Sequence, residues 1–342
     1  MLSPMSTVLV TGAAGNLGRK VTDLLSGGGR VVAVDRARAH ETAPQVEARS
    51  LDLARPGAPQ ALTSMAQEGC AIVHLAWQPE GRHNLTLTRH VLTAAEALVP
   101  SQLVHVSSAT VYGAWPDNAV PLTEDAEPRP NPELDYAVQK RASEVLVERW
   151  AKEHPSTAVT VLRPACTLGA AEQEPLYQAL AATRLPPLGS EGRLVQFLHL
   201  DDLASAVTHV LSHRLAGTYN VAPDAGVSEE VAGALAGGSA SFPIPVAAKA
   251  ALAAWVWHLS RQGAPRGADA YAEHSWVVSA DKLRLTGWQP EYSSEQALVV
   301  TDEREHWDDL PQGRRVALTL AAAGLALAAT GAGGAAWLRH RR

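Results

Sequence analysis

The chain has 342 residues, 46% hydrophobic and 19% charged, which suffices for a sizeable core and excludes a disordered tail protein. A formal net charge of -6 provides no basic field for phosphates, so nucleic acid is not expected as a partner. Cys70 and Cys166 lie in separate apolar segments without metal-ligand spacing, which argues against a disulfide framework or a structural zinc site, and no metal is expected.

Residues 1–7 lead into an apolar run without a basic stretch or a long hydrophobic core, so no secretory signal is read and a cytoplasmic location is expected. From residue 7 to about 162, apolar runs alternate with Gly-rich turns and helical stretches. Strands are predicted at 7–11, 30–35, 46–51, 71–76, 102–107 and 158–162, each a nearly continuous apolar run, as strands covered on both faces should be. The pattern predicts an α/β fold with a doubly wound parallel (Rossmann) sheet over residues 1–165. Prolines then punctuate a smaller, irregular substrate lobe over 166–310. Strands are predicted there at 194–200 and 218–221, and some elements return to the first domain.

Residues 316–338 form a charge-free run of 23 residues between Arg314-Arg315 and Arg339, long enough for a transmembrane helix. The run is mostly Ala and Gly with five Leu, so its drive to insert is marginal. A membrane tail anchor is the expectation; a helix packed on the protein and a disordered tail are the alternatives.

Gly12, Gly15 and Gly18, with Asn16 and Leu17 between them, lie between the first strand and the first helix in TGAAGNLG. Glycines there permit a tight turn and let backbone amides approach a pyrophosphate at the helix N-terminus. Asp35 ends the second strand 23 residues after Gly12, where a carboxylate accepts hydrogen bonds from an adenosine ribose. Arg36 stands beside it. A 2'-phosphate next to Asp35 would be repelled, so NAD is favoured over NADP; Arg36, Arg38 and Arg19 weaken that preference.

Ser107-Ser108-Ala109-Thr110-Val111-Tyr112-Gly113 follows the fifth strand, and Tyr136-Ala137-Val138-Gln139-Lys140 opens a helix after a Pro-rich loop. Tyr136 and Lys140 are four residues apart and share a helical face. A free phenol is a poor base at neutral pH, and a neighbouring ammonium favours its phenolate. Tyr136 is the candidate general acid/base, Ser108 the hydrogen-bond partner of the substrate oxygen, and Lys140 the ribose-binding and electrostatic partner.

This ordered set resembles the extended short-chain dehydrogenases/reductases, in the group called the NAD-dependent epimerase/dehydratase family, over roughly residues 7–300. The resemblance implies that Asp52 and Leu53 lie by the adenine, that Leu75 and Ala76 pass the cofactor after His74, and that Asn84 shapes the active site. Pro164, after Arg163, joins the cofactor-binding set. It also implies a hydride transfer on a secondary alcohol or ketone of a small-molecule substrate, with a nucleotide-sugar epimerase or dehydratase as the alternative. A non-catalytic dinucleotide-binding protein at the membrane is the second alternative. A homodimer through the helices near 84–98 and 135–153 is further implied.

Departures from the family pattern bear on substrate. Cys166, Leu168 and Ala170 stand where nucleotide-sugar enzymes usually have Asn, Tyr and Pro, Leu87 and His90 replace a Gly and an Asn, and Trp77 stands where a small residue is common. Trp255, Trp257, Trp276 and Trp288 are read either as the lining of an apolar pocket or as packing residues. His74, His105 and His199 are read as satisfied core histidines.

Overall fold

Seven strands form one parallel sheet: β1 (Val8–Thr11), β2 (Val31–Asp35), β3 (Val46–Ser50), β4 (Ala71–His74), β5 (Gln102–Val106), β6 (Ala158–Pro164) and β10 (Gly217–Val221). The order across the sheet is β10-β6-β5-β4-β1-β2-β3, and every pairing within it is parallel. The computed structural model describes residues 7–37, 43–78, 81, 83–169, 193–224, 226–228, 231, 232, 235 and 267–302.

Alternation along the strands sorts the core into two layers. Val8, Val10, Val31, Ala33, Val73 and Val104 face one side, packed with Val21 of α1 (Asn16–Leu25) and with Leu203, Val207 and Val210 of α5 (Leu200–Ser212). Leu9, Val32, Val34, Ile72, Leu103 and Val161 face the other. There they meet Leu62 of α2 (Ala58–Met65), Val91 of α3 (Asn84–Leu98) and Val147 of α4 (Asp135–Glu153). All six strands predicted in the first half are present.

Two sequence expectations need correction. Segment 46–51 is not doubly covered: β3 is the sheet's edge, and only Val46 of VEARS is buried, because Glu47 and Arg49 serve ion pairs with Arg30 and with each other instead of a core. The strand expected at 194–200 is two short strands, β8 (Leu194–Val195) and β9 (Phe197–His199), with Leu200 already opening α5. Gln196 interrupts them because its side-chain amide exchanges hydrogen bonds with Val278 and donates to Pro223 O. Strand β10 and helix α5 complete the first domain's sheet and helical layer, so the chain crosses back after residue 166. Finally, among the described residues no helix is long and apolar enough to cross a membrane; the run at 316–338 lies outside them, as do Arg38, Ala170, Trp255 and Trp257.

Beyond the main sheet, β7 (Cys166–Leu168) pairs parallel with β9, and β8 pairs antiparallel with β11 (Val227–Ser228). Three short helices follow, α6 (Ala268–Glu273), α7 (Asp281–Arg284) and α8 (Ser294–Asp302); α8 packs on β7 and β9, and α7 on β10. Trp276 and Trp288 are packing residues: Trp276 meets Tyr271 edge-on, and Trp288 Nε1 donates to Ser205 Oγ at 3.0 Å. The chain just after Pro290 is tied down by buried Asp202, which accepts hydrogen bonds from Glu291 N (2.7 Å) and Tyr292 N (3.1 Å). Its carboxyl pKa is pushed up by burial, against those same hydrogen bonds.

Candidate active site

The strand order reverses between β1 and β4, and at such a switch point the chain ends diverge into a crevice beyond the C-terminal strand ends. A crevice of about 250 Å³ lies there. Its walls include Gly12, Gly15, Asn16, Leu17 and Gly18 after β1, Asp35 and Arg36 after β2, Asp52 and Leu53 after β3, and Leu75 and Ala76 after β4. Tyr136, Lys140 and Pro164 complete the set of sequence-predicted residues that line it.

Two glycines are fixed by close approach. Gly12 has φ +78°, and a Cβ there would lie 2.6 Å from Ala76 N and 2.7 Å from Leu75 C; at Gly18 it would lie 2.1 Å from Gly12 O. Only glycine lets the turn, α1 and the 75–76 backbone converge in this way. Asp35 braces the rim, accepting hydrogen bonds from Ala14 N through Oδ2 and from Ala37 N through Oδ1, both at 3.0 Å. Beside it, after the neighbouring strand β3, Asp52 Oδ1 accepts from Ala54 N at 3.0 Å, and His90 Nδ1 lies 2.7 Å from Leu53 O.

Tyr136 and Lys140 occupy successive turns of α4. Lys140 is buried, and its Nζ donates to Val106 O at 3.0 Å. The same Nζ lies 4.0 Å from the centroid of the Trp77 ring and 5.7 Å from that of Tyr136. Trp77 meets Tyr136 edge-on, at 5.6 Å and 79°. Ser108 caps the 3₁₀ turn Ala109–Tyr112: its Oγ accepts from Thr110 N at 3.2 Å and from Thr110 Oγ1 at 3.0 Å. The crevice wall at this point is Ser107, one residue earlier, together with Val106.

Behind Lys140, β4 and β5 set His74 and His105 side by side, with ring centroids 5.4 Å apart. His74 Nδ1 lies 2.8 Å from Thr11 Oγ1, and His105 Nε2 lies 3.0 Å from Ser143 Oγ. Burial, helped by the Lys140 charge, pulls the His74 pKa down to about 3. His105 is also held well below its usual value, by burial first and then by His74 and Lys140. Both rings are therefore neutral at pH 7.

Helix α4 is locked to the sheet by a buried ion pair. Arg163 Nε and Nη2 donate to the two Glu144 oxygens at 3.0 and 2.8 Å, and Nη1 donates to Tyr112 OH at 2.9 Å. Burial alone would lower the Arg163 pKa; Glu144 more than offsets it and holds the guanidinium charged.

Several lining residues carried no local signal: Ser107, Val106, Thr167, Leu200 and Leu203. Thr167 faces the crevice between buried Cys166 and Leu168, an alternation visible only once β7 is known. Trp77 stood out in the sequence solely as a departure from a small residue.

The glycine cradle at Gly12 and Gly18 and the carboxylate at Asp35 fit a dinucleotide, since a Cβ at either glycine would close the turn over which a pyrophosphate lies. Fold and crevice together define a dinucleotide-dependent enzyme of the Rossmann type. The chain belongs to the NAD dependent epimerase/dehydratase family, whose model matches residues 8–222; NAD is accordingly its cofactor. An uncharacterized protein of Sinorhizobium fredii is 29% identical over 315 residues, covering 87% of this chain and 78% of that one. The GDP-6-deoxy-D-mannose reductase of Pseudomonas aeruginosa is 31% identical over 176 residues, 44% of this chain and 57% of the reductase. In fold, the chain is similar to Thermus thermophilus UDP-glucose 4-epimerase solved in complex with NAD. The TM-score is 0.63 at 24% identity, covering 87% of this chain and 98% of the epimerase.

Proposed function

We propose that the protein acts on a nucleotide sugar, oxidising a hydroxyl-bearing carbon and returning the hydride within the same catalytic cycle, as an epimerase or dehydratase does. The observation that carries this reading is the match to the epimerase/dehydratase family over residues 8–222, with Tyr136 and Lys140 on successive turns of α4 at the crevice to supply the acid/base chemistry. NAD, when bound, supplies the hydride acceptor. Tyr136 takes the proton from the substrate hydroxyl, Ser108 hydrogen-bonds that oxygen, and Lys140 holds the nicotinamide ribose and favours the phenolate. Gly12, Gly15, Asn16, Leu17 and Gly18 cradle the pyrophosphate, Asp35 and Arg36 the adenosine ribose, and Asp52 and Leu53 the adenine. Leu75, Ala76 and Pro164 flank the nicotinamide half.

A cycle that returns its hydride keeps its cofactor. Mass analysis of small molecules released on denaturing the purified protein therefore tests the reading: close to one NAD per chain supports it, and empty protein overturns it. The empty result fits a second reading, a dehydrogenase or reductase with exchangeable cofactor. That reading draws on the similarity to GDP-6-deoxy-D-mannose reductase and on Cys166 and Leu168, both buried in β7 where nucleotide-sugar enzymes usually carry Asn and Tyr.

We further propose a substrate lobe built from the segments after residue 166, a homodimer through α3 and α4, and membrane attachment through 316–338. Val138 and Val145, seven residues apart on α4 and exposed, support the dimer face. Sedimentation of the wild type against a Val138→Lys, Val145→Lys variant tests it, with loss of the dimer in the variant as the supporting result.

A further inference from the structure

We propose that Trp77 is a positioning residue for cofactor binding, its indole face holding the Lys140 ammonium beside Tyr136. The proposal rests on the reading of the crevice as the NAD site with Lys140 at its ribose. Trp77 lines that crevice between Ala76, which packs against Gly12, and Gln78.

The placement of Trp77 is enforced from below. Asn84, at the start of α3 and 1% exposed, accepts a hydrogen bond from Gln78 N at 2.7 Å and donates to Gln78 O at 2.9 Å. Its Nδ2 also lies 3.1 Å from Gln139 Oε1, on the residue next to Lys140. Gly81, at φ +71°, lets the same loop come down on α4, since a Cβ there would lie 2.5 Å from Gln139 Nε2. Asn84 thus fastens the backbone of Gln78, the residue after Trp77, to the helix that carries Tyr136 and Lys140.

The consequence is electrostatic. A buried ammonium requires compensation for its lost water, and an aromatic face within about 6 Å of a cation supplies it. Here the face is 4.0 Å away, while Val106 O accepts a hydrogen bond from the ammonium on the strand side. The edge-to-face contact of the indole with Tyr136 makes one unit of the three side chains. An aliphatic residue at 77 would leave the crevice wall apolar but remove the quadrupole that orients the charge.

The test is a double-mutant cycle on the full chain, stripped of retained NAD beforehand, read by equilibrium titration with NADH fluorescence, with folding checked by circular dichroism melting. Wild-type binding of NADH examines the cofactor reading itself; the variants examine Trp77. Trp77→Leu is expected to weaken NADH about five- to tenfold, which corresponds to about 1–1.4 kcal/mol. Trp77→Phe should recover affinity to within about twofold, because a weaker aromatic face remains. In a Lys140→Met background, Trp77→Leu should cost nothing further, since the cation is gone. Equal losses from Trp77→Leu in both backgrounds, or tighter NADH binding in Trp77→Leu, would overturn the proposal. Trp77→Met enters the same cycle should Trp77→Leu not fold.

Discussion

Removing the Glu144 carboxylate should cost more than any other single side-chain deletion in α4. The Glu144 side chain has no exposed surface, Arg163 opposite it is 4% exposed, and two hydrogen bonds at 2.8 and 3.0 Å join them. Glu144→Ala strands a buried guanidinium whose one remaining described acceptor is Tyr112 OH. Breaking a buried pair from one side costs about 3–5 kcal/mol, and Arg141 loses one partner while keeping Glu148 at 2.6 Å. Against a urea m-value of about 3 kcal/mol/M, that loss lowers the unfolding midpoint by roughly 1–1.7 M. Replacing both partners, as Glu144→Leu with Arg163→Met, should recover most of the loss, because the penalty lies in the orphaned charge and not in the missing pair. Urea titrations followed by circular dichroism measure all three variants. A loss under about 1 kcal/mol in Glu144→Ala, or a double variant no better than the single one, would refute the reasoning.

Three further outcomes follow from the same geometry. Gly12→Ala should lose about 1–3 kcal/mol from left-handed strain, and because its Cβ would strike backbone at Ala76 and Leu75, NAD should no longer raise its melting temperature. Asp35→Ala removes the acceptor of Ala14 N and Ala37 N; NAD affinity should fall by about tenfold or more, and preference over NADP should shrink in isothermal titrations with both cofactors. Acid should unfold the chain in part through His74, which stays neutral in the fold down to about pH 3 but protonates near 6.5 when unfolded. The unfolded state binds the extra proton between those values, so stability drops as pH falls through that window, by up to about 1.4 kcal/mol per unit from this group. Burial of His105 acts in the same direction. Urea midpoints at pH 7 and pH 5 should converge in His74→Gln, and an unchanged pH dependence there would count against the assignment.

The Gly-rich side of the crevice was legible because its signals are local. Gly12, Gly15, Gly18 and Asp35 sit at a strand–helix turn and a strand end, where spacing along the chain translates directly into geometry. Tyr136 and Lys140 were readable for the same reason, one helical turn apart. What escaped depends on register and on contacts across the fold. The pairing of His74 with His105 is set by how β4 aligns on β5, and that of Arg163 with Glu144 joins a strand to a helix 19 residues away. Val46, Ala48 and Leu51 give the segment of edge strand β3 the apolar character of a covered strand, whereas coverage is decided by what packs over its faces, and Glu47 and Arg49 are spent on surface ion pairs. Trp77 was visible as an oddity, but its meeting with Lys140 needed the clamp from Asn84, 55 residues before Gln139.

The central claim is that a pyridine nucleotide lies across this crevice with its nicotinamide next to Tyr136. A crystal structure of the protein soaked with NAD tests it most directly. The account predicts density for the pyrophosphate over Gly12–Gly18, the adenosine ribose on Asp35, and the nicotinamide ring within contact distance of the Tyr136 hydroxyl. Density that leaves the ring turned away from Tyr136, or a crevice that stays empty at saturating NAD, would contradict it.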